Sequence, residues 1–226
     1  MLNKDKRSML LAFVLGDGCL HYFHRGNKTY GGLTIDHGLE QADYMAWKAQ
    51  MIGELTDRTV KVRTGHKGKS IQLNVCKKQL RAWRKFIYKD NKKSIRRILP
   101  FIRHPEFALA VWLMDDGYVE SSITNNKNYS ASLRIFSCDE DSEGLKAIQD
   151  WLLASFGISS KIRYQTTRGA TYPFVKINCK ESLLIWGKIR EFVLQFKSMR
   201  YKFRYLEQIF QSRLAQPQTT PQALKT

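Results

Sequence analysis

Two apolar runs of equal length stand out along the chain. The first is Leu10-Leu11-Ala12-Phe13-Val14-Leu15-Gly16-Asp17-Gly18 and the second Leu109-Ala110-Val111-Trp112-Leu113-Met114-Asp115-Asp116-Gly117. Each is apolar on all sides, as a helix buried all round would be. Each ends in Asp-Gly. At an offset of 99 residues they match position by position: Leu10 with Leu109, Phe13 with Trp112, Val14 with Leu113, Leu15 with Met114, Gly18 with Gly117. The first helix is predicted over 8–18 with Ser8 as its cap, the second over 105–117. Ala12 and Gly16 leave one edge of the first helix almost bare backbone, which suits close approach by another helix.

The intervening pattern changes period. Residues 19–24 and 29–37 flank a turn at Arg25-Gly26-Asn27-Lys28 and read as a hairpin. A helix is predicted over 39–55, with Trp47, Met51 and Leu55 on one side. Strict alternation follows in Val60-Lys61-Val62-Arg63 and in Ser70-Ile71-Gln72-Leu73-Asn74-Val75, joined by a turn at 65–68. One face of this hairpin is apolar; the other shows Lys61, Arg63, Ser70, Gln72 and Asn74. A helix at 77–88 closes the set. The order then repeats after a join near Asp90-Asn91-Lys92-Lys93: a weak strand at 118–122, a strand at 130–137, a helix at 140–155, strands at 160–166 and 172–179, and a helix at 181–195. Lys161-Ile162-Arg163 echoes Lys61-Val62-Arg63 at an offset of 100. The fold class is therefore α+β, built from two pseudo-twofold-related αββαββα halves, each with an antiparallel four-stranded sheet. The halves are expected at 1–95 and 96–213, with a polar, Pro-bearing disordered tail at 214–226.

Composition narrows the partners. The 226 residues carry 38 Lys and Arg against 20 acids, a net charge of +18. Such an excess calls for a polyanion, most simply nucleic acid. No apolar run is long enough to span a bilayer, no clean cationic amphipathic face suggests a membrane surface, and the N-terminus does not read as a signal peptide. Cys19, Cys76, Cys138 and Cys179 are far apart and read as free thiols. The five histidines form no expected site, and no nucleophile triad, zinc cluster or phosphate-cradling glycine loop is present.

With its two Asp-Gly helices in a tandem repeat, the chain resembles the LAGLIDADG homing endonucleases in their single-chain, intron-encoded form. The second motif matches closely; the first is looser at its fifth to seventh positions. The resemblance implies that the two motif helices pair at the pseudo-twofold axis and bring Asp17 and Asp116 together as the catalytic, metal-binding carboxylates. Adjacent carboxylates repel unless a cation lies between them, so Mg²⁺ is the expected cofactor, with Mn²⁺ substituting and Ca²⁺ supporting binding without cleavage. The backbone carbonyls of Gly16 and Asp115 are expected to complete the coordination. The Asp115 side chain has no counterpart in the first half, and Asp116 is preferred over it. Lys93 and Lys202, 109 residues apart, match the lysines that flank the second motif and the last repeat helix in that family. They are expected to offset transition-state charge.

The same resemblance lays the sheets along the major groove of double-stranded DNA. Lys61, Arg63, Gln72, Asn74, Arg134, Lys161, Arg163, Gln165, Lys176 and Asn178 are the expected contacts, and Arg25, Lys28, Lys67, Lys127 and Arg168 grip the ends of the site. The activity implied is Mg²⁺-dependent hydrolysis of both strands of a long asymmetric target, leaving short 3′ overhangs and promoting intron mobility. A monomer is expected. Two alternatives use the same scaffold: an RNA-binding maturase acting on host intron RNA, and a non-cleaving DNA-binding regulator. Intact Asp17 and Asp116 favour the nuclease. No splicing blocks flank the repeat, so an intein context is not expected.

Overall fold

The computed structural model describes residues 2–65, 68–124, 128–136, 142–167 and 169–215. Helix α1 spans Lys4–Leu15 and is followed by β1 (Cys19–Arg25), β2 (Lys28–Gly38), α2 (Ala42–Thr56), β3 (Lys61–Gly65), β4 (Ser70–Lys77) and α3 (Lys78–Ile87). A two-stranded hairpin, β5 (Tyr88–Lys89) and β6 (Lys92–Lys93), and two 3₁₀ turns at Ile95–Arg97 and Leu99–Phe101 form the join. The second half runs α4 (Pro105–Asp116), β7 (Gly117–Thr124), β8 (Asn128–Phe136), α5 (Ser142–Phe156), β9 (Lys161–Thr167), β10 (Ala170–Ile177), α6 (Cys179–Leu194) and α7 (Arg200–Leu214). The sheets are ordered β1-β2-β4-β3 and β7-β8-β10-β9, every pair antiparallel. The αββαββα order and its repetition match the sequence reading, and the pseudo-twofold layout follows from it.

The boundaries differ where capping chemistry decides them. α1 starts four residues before Ser8, because the Asn3 side chain accepts from the Lys6 N–H at 2.8 Å. Ser8 lies inside the helix and is buried, and its Oγ accepts from the Arg103 N–H of the second half at 2.7 Å. α1 also stops at Leu15, and Gly18 N–H reaches back five residues to Phe13 O at 2.9 Å. β7 is a full strand rather than a weak one. α7 is an added helix beyond the last repeat helix. Its Phe203, Leu206 and Ile209 are buried, and Phe203 stacks on Trp186 of α6 at 5.2 Å.

One continuous core joins the halves. Residues 10–15 of α1 and 108–114 of α4 are all buried, which is why both motifs are apolar on every side. Beside them, Phe13 packs against Trp47 and Phe107, and Trp47 in turn against Tyr44, Phe192 and Phe196. These rings come from both halves, so neither half's core is closed without the other. The four-stranded sheets lay their apolar faces on this core and turn their polar faces outward.

Candidate active site

The apolar helices set the two Asp-Gly ends side by side. Gly16 is required by that approach: a Cβ there would lie 2.2 Å from Asp115 Oδ2. The missing side chain in the first half thus makes room for the extra carboxylate in the second.

Lys93 and Lys202 occupy equivalent places. Lys93 Nζ donates to the carbonyls of Val14 (2.9 Å), Leu15 (3.4 Å) and Gly16 (2.6 Å). Lys202 Nζ donates to those of Met114 (2.5 Å) and Asp115 (2.8 Å). Each ammonium therefore covers the last carbonyls of one motif helix, where the negative end of the helix dipole favours a cation. The Gly16 and Asp115 carbonyls expected as metal ligands already accept these bonds; a second lone pair remains on each.

Charge accumulates here at low solvent exposure. Burial, then the charges of Asp115 and Asp116, pushes the Asp17 carboxyl up to about 7, against the pull of Lys48 and Lys202. Burial raises Asp116 to about 6; Lys93, Lys202 and Lys48 oppose the rise and Asp115 adds to it. Burial lowers the Lys202 ammonium from its usual range, and the three aspartates hold it up. Crowded, partly desolvated carboxylates with hard oxygen donors are the surroundings that a small divalent cation relieves. The residues present therefore fit a Mg²⁺-like ion held by Asp17 and Asp116.

Beneath them lies a network that the sequence did not announce. Asp115 Oδ1 accepts from Lys48 Nζ at 2.6 Å and from Tyr44 Oη at 3.0 Å, and Oδ2 accepts from the Asp17 N–H at 3.1 Å. Lys48 also donates to His37 Nε2 at 2.8 Å, and His37 Nδ1 meets Gln41 Oε1 at 2.8 Å. Burial, reinforced by the Lys48 charge, lowers His37 to about 4, so the ring is neutral. Its Nδ1 then carries the proton that Gln41 accepts. Asp17, His37 and Asp115 bring ligand atoms within 4.8 Å of one another. His37 and Asp115 already spend those atoms on Lys48, Tyr44 and Gln41, and His37 Nδ1 also lies 3.5 Å from Asp17 Oδ2. The expectation that no histidine belongs to the site is corrected for His37. Lys48 was hidden because α2 buries Tyr44, Lys48, Ile52 and Leu55, a stripe rotated from the Trp47, Met51 and Leu55 side.

The polar sheet faces assemble as the alternation implied. Lys61 pairs with Asn74 and Arg63 with Gln72. Arg63 Nε and Nη2 donate to Gln72 Oε1 at 3.1 and 2.8 Å. In the second sheet Lys161 pairs with Lys176 and Lys176 with Arg134, while Arg163 and Gln165 lie exposed along β9. Glu120 and Asp36 are acids on these basic faces that sequence reasoning missed. Glu120 takes an ion pair from Arg134 and one from Lys176 at 2.6 Å. Burial raises its carboxyl, but the hydrogen bonds from Lys176 and Arg134 outweigh this and hold it at about 2. Asn178 leaves the set: β10 ends at Ile177, and the Asn178 side chain caps α6 by accepting from the Glu181 N–H at 3.0 Å. Lys28 is exposed at the β1–β2 turn, opposite Arg25 in the strand register. Lys67, Lys127 and Arg168 lie outside the described residues.

The family model of the LAGLIDADG DNA endonuclease family matches residues 7–183. The chain belongs to that family. Solved LAGLIDADG structures share the fold. The homing endonuclease I-WcaI bound to its DNA recognition sequence is 20% identical, with a TM-score of 0.60 over 89% of this chain and 87% of that one. I-GzeII in complex with its DNA target is 10% identical, with a TM-score of 0.53 over 96% and 94%. I-DmoI in complex with DNA and Mn is 17% identical, with a TM-score of 0.53 over 83% and 97%. Curated relatives include proteins named RecA. That of Mycolicibacterium flavescens is 28% identical over 173 residues, 74% of this chain and 40% of that protein. That of Mycobacterium shimoidei is 27% identical over 209 residues, 89% and 47%. The LAGLIDADG chain spans less than half the length of these relatives. It also lacks a phosphate-binding Gly-x-x-x-x-Gly-Lys-Ser loop: Gly68-Lys69-Ser70 has Arg63 where the first glycine belongs and leads into a hairpin strand. Among the described residues no helix is long and apolar enough to cross a membrane.

Proposed function

We propose that the protein is a site-specific homing endonuclease that hydrolyses both strands of a long, asymmetric DNA target and leaves short 3′ overhangs, so promoting intron mobility. The observation that carries this reading is the matched geometry of the two motif ends: each terminal aspartate follows a carbonyl covered by its own lysine. Two such units fit two scissile phosphates on opposite strands. Asp17 and Asp116 hold the cation, which when bound supplies an activated water and charge stabilisation at the leaving 3′-oxygen. Lys93 and Lys202 stand beside the carboxylates and offset charge that builds on the phosphate. The polar sheet faces contact base edges and phosphates on either side. DNA, Mn, Mg and Ca are named for the structures of the I-DmoI relatives, which supports a divalent metal and a DNA partner here. A monomer suffices, because one chain supplies both halves of the site.

The test is cleavage of a randomised duplex library by the purified chain with Mg²⁺, repeated with Ca²⁺. Recovery of one long site, cut in both strands with Mg²⁺ alone, is the expected result. Asp17→Asn and Asp116→Asn should each abolish double-strand cleavage while retaining DNA affinity. Selective binding without a cut under Mg²⁺ or Mn²⁺ would replace this reading with that of a DNA-binding regulator.

A further inference from the structure

The two halves hold their terminal aspartates differently. α4 runs through Asp116, so the helix itself fixes that residue, whereas α1 stops at Leu15 and leaves Asp17 beyond it. The Asp17 N–H donates instead across the interface, to Asp115 Oδ2 at 3.1 Å. Asp115 is anchored in turn by Lys48 at 2.6 Å and Tyr44 at 3.0 Å, and the Lys48 and Asp115 side chains are both fully buried. The reciprocal brace has no residues to build it. Gly16 stands at the place equivalent to Asp115, and Ile148 at the place equivalent to Lys48 in the matching helix α5. Ile148 is as buried as Lys48, so this helix position packs without a charge. A buried ion pair is a poor source of stability compared with an apolar pair. Its presence on one side alone points to a role at Asp17.

We infer that Asp115 is a positioning residue that braces Asp17 alone through its Oδ2, with Lys48 answering its buried charge, so that the two DNA strands are cut by unequally held carboxylates. This rests on the endonuclease reading. Loss of the brace frees the Asp17 backbone and slows one strand, and nicked duplex accumulates.

Two double variants test it. Asp115→Ala with Lys48→Met and Asp115→Asn with Lys48→Met each remove both charges together, so neither leaves a buried ion unpaired. Only the asparagine pair keeps an acceptor for the Asp17 N–H. Single-turnover cleavage of a duplex labelled on both strands reads each rate, DNA affinity is read by anisotropy, and thermal unfolding reports the fold. The alanine pair should shift the ratio of the two strand rates by about a hundredfold, the scale of a misplaced reacting group, with DNA affinity held. The asparagine pair should keep the parent ratio. Should the alanine pair not fold, Gly16→Ala decides: its methyl displaces Asp115 Oδ2 with every charge in place and should produce the same skew. Equal slowing of both strands, an unmoved ratio, or the same skew in both double variants would overturn the inference. An unmodified chain that cuts neither strand defeats the endonuclease reading, and this inference with it, before any variant is compared.

Discussion

At the scale of single residues, the site is governed by what one half leaves out for the other. A Cβ at Gly16 would collide with the Asp115 side chain, lying 2.2 Å from its Oδ2 and 2.6 Å from its Cβ. Gly16→Ala should therefore cost about 1–3 kcal/mol, the usual price of overpacking, read as a lower denaturant midpoint at unchanged m-value. Leu113→Ala, at a fully buried position of α4, should cost about 2–5 kcal/mol by leaving a cavity. The terminal aspartates were legible in the sequence because the repeat marks them twice at one offset, whereas Lys93 and Lys202, 109 residues apart, came from the family resemblance. Lys48 and His37 were not legible. A lysine in an amphipathic helix reads as solvent-exposed, and the carboxylate of Asp115, 67 residues away, makes its burial tolerable together with His37 Nε2 and the Tyr44 ring. Asp115 looked like a departure from symmetry, and its partner is an empty place in the other half, which no periodicity reveals.

At the scale of elements, the strands and repeat helices followed from period and turn chemistry, with ends shifted by capping groups such as Asn3. α7 was missed as an element although its lysine was found. Its buried residues are only Phe203, Leu206 and Ile209 in a segment otherwise rich in charge. Its attachment to α6 depends on Glu207, which accepts from Arg190 Nε and Nη2 at 2.7 and 2.6 Å and from Trp186 Nε1 at 2.8 Å. The bonds from Arg190 hold the Glu207 carboxyl down at about 2, with burial opposing and Gln211 and Trp186 assisting. A carboxyl depressed in the folded state stabilises above its unfolded pKa, and that contribution fades as pH falls from about 4.5 toward 2. Thermal unfolding followed from pH 6 to about pH 2.5 should show the parent losing more stability than Glu207→Gln, by roughly 1 kcal/mol for a pair partly open to solvent. Parallel curves would show that this contact carries no pH dependence.

At the scale of the whole molecule, the charge of +18 sets how binding responds to salt. The logarithm of DNA affinity should fall linearly with the logarithm of salt concentration, by about 0.9 for each phosphate neutralised. Arg163 lies exposed on its strand, so Arg163→Ala should reduce that slope by about one if its contact is to phosphate. Arg134 and Lys176 already share Glu120. Removing either should change the slope less, because part of its charge is answered within the protein.

The fit of Asp115 against Gly16 has a further consequence for how such a chain can be rearranged. A symmetric molecule made from two copies of the first half would face glycine with glycine without collision, but would bury two copies of Lys48 with no Asp115 to answer either. One made from two copies of the second half would drive two aspartates into the place that now admits one, with no Lys48 to answer either. The halves are thus not interchangeable parts. Each is shaped for a partner unlike itself: the first needs a carboxylate across the axis for Lys48, and recombining the second with another protein's half requires a glycine waiting on the other side.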